Sequence, residues 1–307
     1  MNHTSYLDAA RQGKASPGRY LVGLLLIFFV WLGIGSMATG VALLFFALIQ
    51  GIRPDQFLDL VNDPASLGMI PNFITLNISF VLFFLGVWLA VRGIHRRRFR
   101  SVITGADAVN WKRVGAGFGA WFLVGILGSL VEYLLWPETF SVQIQPLTFL
   151  SFALVALILT PIQTTSEELF FRGYLVQAGS LLSCNPLFLS LLSGILFALP
   201  HFGNPEVAEN ALLVLPSYFI LGGFLTWISL KDGTIELAIG LHAANNLFAG
   251  LVVTFPQSAL QTPAIFYTTH FDPLFNLVAL LIQCFLFYLL VFKSRRSLVG
   301  EAIVSNG

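Results

Sequence analysis

"TTSEELFFRGYL", Thr164 to Leu175, sets two glutamates and an arginine inside one of the most apolar stretches of a very apolar chain. Each such charge costs roughly 2.5–3.5 kcal/mol at the centre of a membrane helix on insertion scales, so charges kept there serve pairing or chemistry. The surrounding chain defines the solvent. Of its 307 residues 56% are hydrophobic and 10% charged, and the mean hydropathy is +0.82, a balance that excludes a soluble globule. The net charge of +1 gives no nucleic-acid signature, and "HRRRFR" at His95 to Arg100, flanked by apolar stretches, reads as a topology signal. Cys184 and Cys284 lie in different segments without metal-ligand spacing and read as packing residues.

A helix needs about 20 apolar residues to cross roughly 30 Å of hydrocarbon. Eight stretches qualify: Tyr20 to Ile49, Phe73 to Val91, Val114 to Trp136, Leu147 through the quoted motif to Leu182, Pro186 to Phe202, Ala211 to Leu230, Ile235 to Phe255, and Pro273 to Phe292. The expected fold is an all-α membrane protein, a bundle of about eight transmembrane helices with a cavity between spans four, five and seven. Residues 1–19 form an N-terminal tail, 20–293 the bundle with its functional core at 147–252, and 294–307 a C-terminal tail. The polar start and the length of the first apolar run suit a retained anchor rather than a cleaved leader.

Lys and Arg gather before span one (Arg11, Lys14, Arg19), between spans two and three (Arg92 to Lys112 and Arg113), at Lys231, and after span eight (Lys293, Arg295, Arg296). With eight spans these fall on one side, which predicts that both termini are cytoplasmic in a plasma-membrane protein. Acidic residues such as Asp55, Asp59, Glu138, Glu206 and Glu209 fall on the other side. The "SCNP" turn at Ser183 to Pro186 is expected to protrude into the cytosol.

Arg172 is the cation that topology does not explain. Glu168 precedes it by four residues, so the two share a helix face in the favourable order and neutralise each other. Glu167 is rotated by about 100° and projects toward another neighbour. Folding the chain at "SCNP" brings Glu167 and His201 level, each roughly 25 Å from the bend. His242 is the other histidine within a span, and Asn246 lies one turn beyond it on the same face. Pro161 and Pro200 interrupt their helices beside this cluster, which suits a water-accessible cavity. Taken singly, Glu168 with Arg172 also reads as a helix-fixing ion pair, and His or Asn as interhelical glue. Glu132 has no obvious partner, and Glu236, close to a turn, reads as interfacial.

"EELFFR" (Glu167, Glu168, Arg172), "FALPH" (Phe197, His201) and "HAANN" (His242, Asn246) resemble the EExxxR, FxxxH and HxxxN motifs of the CPBP family, the type II CaaX prenyl proteases and their bacteriocin-processing or immunity relatives. The resemblance covers about Leu147 to Val252. It implies an intramembrane endopeptidase whose motif residues line a conical cavity. Glu167 then acts as base on a water that it holds with His201, while His242 and Asn246 stabilise the oxyanion. Glu168, Arg172 and Phe197 give structural support. The substrate implied is a membrane-associated peptide, prenylated at a CaaX terminus or bacteriocin-related, reached from the cytoplasmic side.

Peptide hydrolysis needs a base, an oriented water and oxyanion donors, all present in this residue set without a metal. A competing arrangement binds Zn2+ through Glu167, His201 and His242 with water at the fourth position. Asn246 is a poor zinc ligand and a good donor, which favours the metal-free version. Two other classes stand beside the protease. One is a non-catalytic immunity or sequestering protein on the same fold. The other is a proton- or cation-coupled transporter, although the chain lacks the repeated halves such transporters usually show.

Overall fold

The structure of the protein, a computed structural model, describes residues 6–259 and 262–293. The expected C-terminal tail, 294–307, lies outside the described residues, as do the first five residues of the N-terminal one. Eight long helices follow in chain order: α1 (Pro17–Ile49), α2 (Met69–Ile94), α3 (Trp111–Leu135), α4 (Pro146–Gly179), α5 (Pro186–Gly203), α6 (Ala211–Asp232), α7 (Glu236–Leu251) and α8 (Pro273–Lys293). Among the described residues, all of these except α7 are long and apolar enough to cross a membrane. The protein is an all-α multi-pass membrane bundle.

Local chemistry sets the helix ends. Proline opens α1, α4, α5 and α8, where its missing N–H costs nothing. Asn185 caps α5 by accepting from the Leu187 and Phe188 amides at 2.8 and 3.3 Å. Asp272 caps α8 in the same way. Gly233, at φ +77°, closes α6 in the left-handed conformation that glycine adopts without strain.

The seventh apolar stretch is shorter as a helix than its hydropathy predicts. α7 has 16 residues, about 24 Å at 1.5 Å per residue, and stops at Leu251 instead of Phe255. The β-branched run Val252 to Thr254 leaves the helix because it pairs as a strand instead. Strand β1 (Phe140–Val142), strand β2 (Val253–Thr254) and strand β3 (Phe266–Thr268) form a small sheet in the order β1-β3-β2, with β1 antiparallel and β2 parallel to β3.

The opposite end of the bundle is knitted from the basic segments. Lys14 N–H donates to the His95 carbonyl at 2.9 Å, Ile235 N–H to the Ile103 carbonyl at 2.9 Å, and Tyr6 N–H to the Gly233 carbonyl at 3.4 Å. Arg97 is buried there between the Ala9 carbonyl and Gln177. Glu236 is buried too, 3.7 Å from Arg113 and accepting from the Asn110 amide at 2.7 Å. It is therefore a structural partner at the start of α7. Cys284 is buried as expected, whereas Cys184 is exposed in the turn before α5.

Two crossings position the functional helices. A methyl group at Gly240 would overlap the Val114 carbonyl, so α7 lies directly on the backbone of α3 two residues before His242. At Gly222 an added Cβ would sit 2.8 Å from the Phe197 Cβ, which locks α6 against α5. Small residues permit this closeness in lipid, where packing replaces the hydrophobic effect as the force between helices. The outward faces carry exposed apolar side chains, as on α1 at Leu25, Phe29, Leu32 and Met37.

Candidate active site

Helix α4 carries the acidic pair to the middle of the bundle. Its 34 residues would extend about 51 Å, more than a bilayer core, and Pro161 lies within them. Immediately after Glu168 the helix widens into a π-helical stretch, Leu169–Leu175, a local geometry frequent at functional sites. Glu167, Glu168 and Arg172 are all buried.

Glu168 and Arg172 form the expected pair at 2.8 Å, both wholly buried. Three further contacts could not be read from helical spacing. Arg172 donates to the Gly222 carbonyl at 3.2 Å and lies 4.3 Å over the Phe197 ring. Glu168 Oε1 also accepts a 2.7 Å hydrogen bond from His242 Nδ1. Glu168 thus orients a predicted catalytic residue as well as fixing its own helix, and the Nε2 atom of His242 is turned to within 3.9 Å of Glu167 Oε2.

His201 stands on the tight turn Leu199–Gly203 that ends α5. Its Nδ1–H donates to the Phe197 carbonyl at 2.7 Å, a bond that assigns the proton to Nδ1 and leaves Nε2 as acceptor. The ring stacks on Tyr218 at 4.1 Å. Phe197 consequently has three duties, holding His201 through its carbonyl, Arg172 through its ring face and the His242 ring at 5.6 Å. No direct hydrogen bond joins Glu167 to His201 among the described residues; both line one cavity.

That cavity, about 530 Å³, is lined by Glu167, His201 and Asn246 together with Asn77, Gln163 and Tyr218. It lies between spans four, five and seven and extends to α1, α2 and α6. Gln163, one turn before Glu167, points its amide nitrogen at Glu167 Oε1 from 3.5 Å. Asn246 Oδ1 accepts from Asn245 at 3.1 Å, which commits the oxygen and leaves the Asn246 N–H groups as donors. Asn245 is in turn held by the Trp121 indole at 3.2 Å. The lining reaches Asn204, Phe255 and Ser258 at the sheet end, and includes no residue from the basic connections at the other end.

Sequence reasoning missed Glu206, which is buried beside the same cavity. Tyr218 donates to Glu206 Oε1, and Asn204 donates to that oxygen at 3.3 Å. Five residues after His201 and just past a proline, Glu206 resembled a solvated loop acid; the short helix Pro205–Glu209 turns it inward. Glu132, without an evident partner in sequence, lies 3.7 Å from His270.

Among the described residues no three His, Cys, Asp or Glu side chains gather closely enough to hold a metal ion.

Glu167, His201 and Asn246 thus share one polar cavity of a multi-pass membrane protein, with His242 outside its lining and 3.9 Å from Glu167. The Rce1-like family, described as type II CAAX prenyl endopeptidase Rce1-like, matches residues 146–248. The chain is 37% identical over 267 residues to the uncharacterized protein YyaK of Bacillus subtilis (strain 168), covering 86% of this chain and 88% of that one. No solved structure matches. The chain belongs to the CPBP family, through its Rce1-like branch, a family of membrane proteases.

Proposed function

We propose that the protein is an endopeptidase that hydrolyses a peptide bond of a membrane-associated substrate with a water activated by Glu167. The observation that carries this reading is the shared cavity of Glu167, His201 and Asn246, deep in the bundle. The water lies between the Glu167 carboxylate and His201 Nε2, and Glu167 takes its proton as the oxygen attacks the carbonyl carbon. The oxyanion that forms accepts from the Asn246 amide and from His242 Nε2–H. Glu167 then returns its proton to the amine nitrogen, the C–N bond breaks to leave a carboxylic acid and an amine, and the acid's proton passes to the amine, so that a carboxylate and an ammonium leave.

Charge balance supports the role of His242. Glu167 and Glu168 oppose one guanidinium, so one further proton neutralises the buried cluster, and charges in this setting are stable only when paired. Placed on His242, whose Nδ1–H is already given to Glu168, that proton makes Nε2 a donor beside the reacting carbonyl.

The cavity reaches the sheet end of the bundle. With the basic end and both termini in the cytoplasm, the substrate enters from the opposite face, in place of the cytoplasmic approach that the family resemblance implies. This favours a peptide presented outside the cytoplasm over a cytosolic prenylated terminus. A sequestering protein on the same fold would use the same opening, and catalysis separates the two.

The test is cleavage of membrane-anchored peptide libraries by purified protein in liposomes, read by mass spectrometry. Products that persist with a chelator and vanish in Glu167→Gln support the proposal. Absence of products, or loss with chelator and recovery with zinc, contradicts it.

A further inference from the structure

A second cavity, about 320 Å³, adjoins the first, and Glu206, Tyr218 and Asn245 line both. Helix α3 directs Glu132 into it, and α8 contributes Gln283. Two carboxyl groups therefore face one chamber inside a chain that carries few charges. Their local partners leave much of that acidity unanswered. Glu206 is 8% exposed, its Oε1 is occupied by Tyr218 and Asn204, and its Oε2 is buried without a hydrogen-bond partner. His270 Nδ1 stands 3.7 Å from Glu132, too far for a hydrogen bond, and is itself buried without one. No lysine or arginine pairs with either glutamate among the described ion pairs.

An orphaned carboxylate oxygen in low dielectric is costly until a donor, best a charged one, reaches it. The chamber is also coupled to the reacting groups through one side chain: Tyr218 stacks on His201 and donates to Glu206. We propose that this chamber is a substrate subsite for a cationic side chain, the ammonium of a lysine or the guanidinium of an arginine close to the scissile bond. The carboxylates of Glu206 and Glu132 receive the cation, the Gln283 amide adds a polar contact, and the aromatic walls exclude water. The subsite rests on the peptide-hydrolase reading of the adjoining cavity and narrows its substrates to peptides with a basic residue at a fixed place.

Binding to the Glu167→Gln protein in detergent tests this without requiring turnover. The probes are acyl-anchored decapeptides of alanine and leucine that carry one lysine at each position in turn, each matched by a norleucine peptide. The expected result is roughly tenfold tighter binding of lysine over norleucine at one or two neighbouring positions. In a Glu206→Gln background that preference disappears, in Glu132→Gln it weakens, and norleucine peptides bind as before. Displacement of the lysine peptide by n-butylammonium, a mimic of the side chain, needs no change in the chamber and covers the case of a variant that does not fold. Lysine and norleucine peptides that bind alike at every position, no peptide binding, or a lysine preference that survives both carboxylate replacements overturns the subsite. Cleavage by the wild-type protein is scored separately: hydrolysis without a lysine preference sinks the subsite alone, and a preference without hydrolysis sinks the catalytic reading alone.

Discussion

Glu168 receives both the Arg172 guanidinium and the His242 imidazole on one oxygen, so its replacement tests two roles at once. Glu168→Ala strands a wholly buried guanidinium, and breaking a buried pair in this way costs about 3–5 kcal/mol; folded yield and melting temperature in detergent are expected to fall accordingly. The double variant Glu168→Met with Arg172→Met removes both charges and recovers much of the yield, because apolar side chains replace buried ion pairs at little cost. Its activity stays low, since His242 has lost its anchor. Recovery of activity along with stability would show that Glu168 is structural only. The Glu168 to Arg172 pair was legible because four residues make one helical turn. The bond from His242 was not, since it joins residues 74 apart and no periodicity encodes which faces of distant helices meet. Glu206 stayed hidden for a related reason: its inward turn depends on the Tyr218 hydroxyl, carried by another helix.

At the scale of elements, hydropathy located the long helices other than α7 to within a few residues, because in lipid each backbone polar group must be satisfied inside its own segment. It failed at α7, where the helix ends early and β2 joins a sheet whose other strands lie far away in sequence. Pairing between distant strands leaves no trace in a local apolar average. The place of α7 rests on Gly240. Gly240→Val forces its side chain into the Val114 carbonyl, and overpacking of this kind costs about 1–3 kcal/mol; both melting temperature and activity are expected to drop as His242 is displaced. Gly119→Val, where a Cβ meets nothing within 4 Å, serves as the control and should match the wild type. Equal behaviour of the two variants would remove the α3 crossing from the account of the site.

The whole molecule is polarised, with basic connections knitted together at one end and a small sheet with the cavity's loop lining at the other. Lys and Arg positions foretold that asymmetry, whereas the end toward which the cavity extends needed coordinates, because it depends on how α7 and the segment after it fold back. In intact cells a membrane-impermeant thiol reagent is expected to leave the native Cys184 unlabelled until the membrane is opened, and to label Glu209→Cys from outside when Cys184 is replaced by serine. The reverse pattern would turn the protein over and return the cytoplasmic approach. The proposed hydrolysis depends on a buried carboxylate that activates water, and single-turnover cleavage of a membrane-anchored peptide in 18O-labelled water measures this most directly. The expected result is one 18O atom in the new C-terminal carboxylate with the wild type and a rate roughly 10²–10⁴-fold lower with Glu167→Gln, the usual worth of a general base. Release of product without the label, or an undiminished rate in Glu167→Gln, would contradict it.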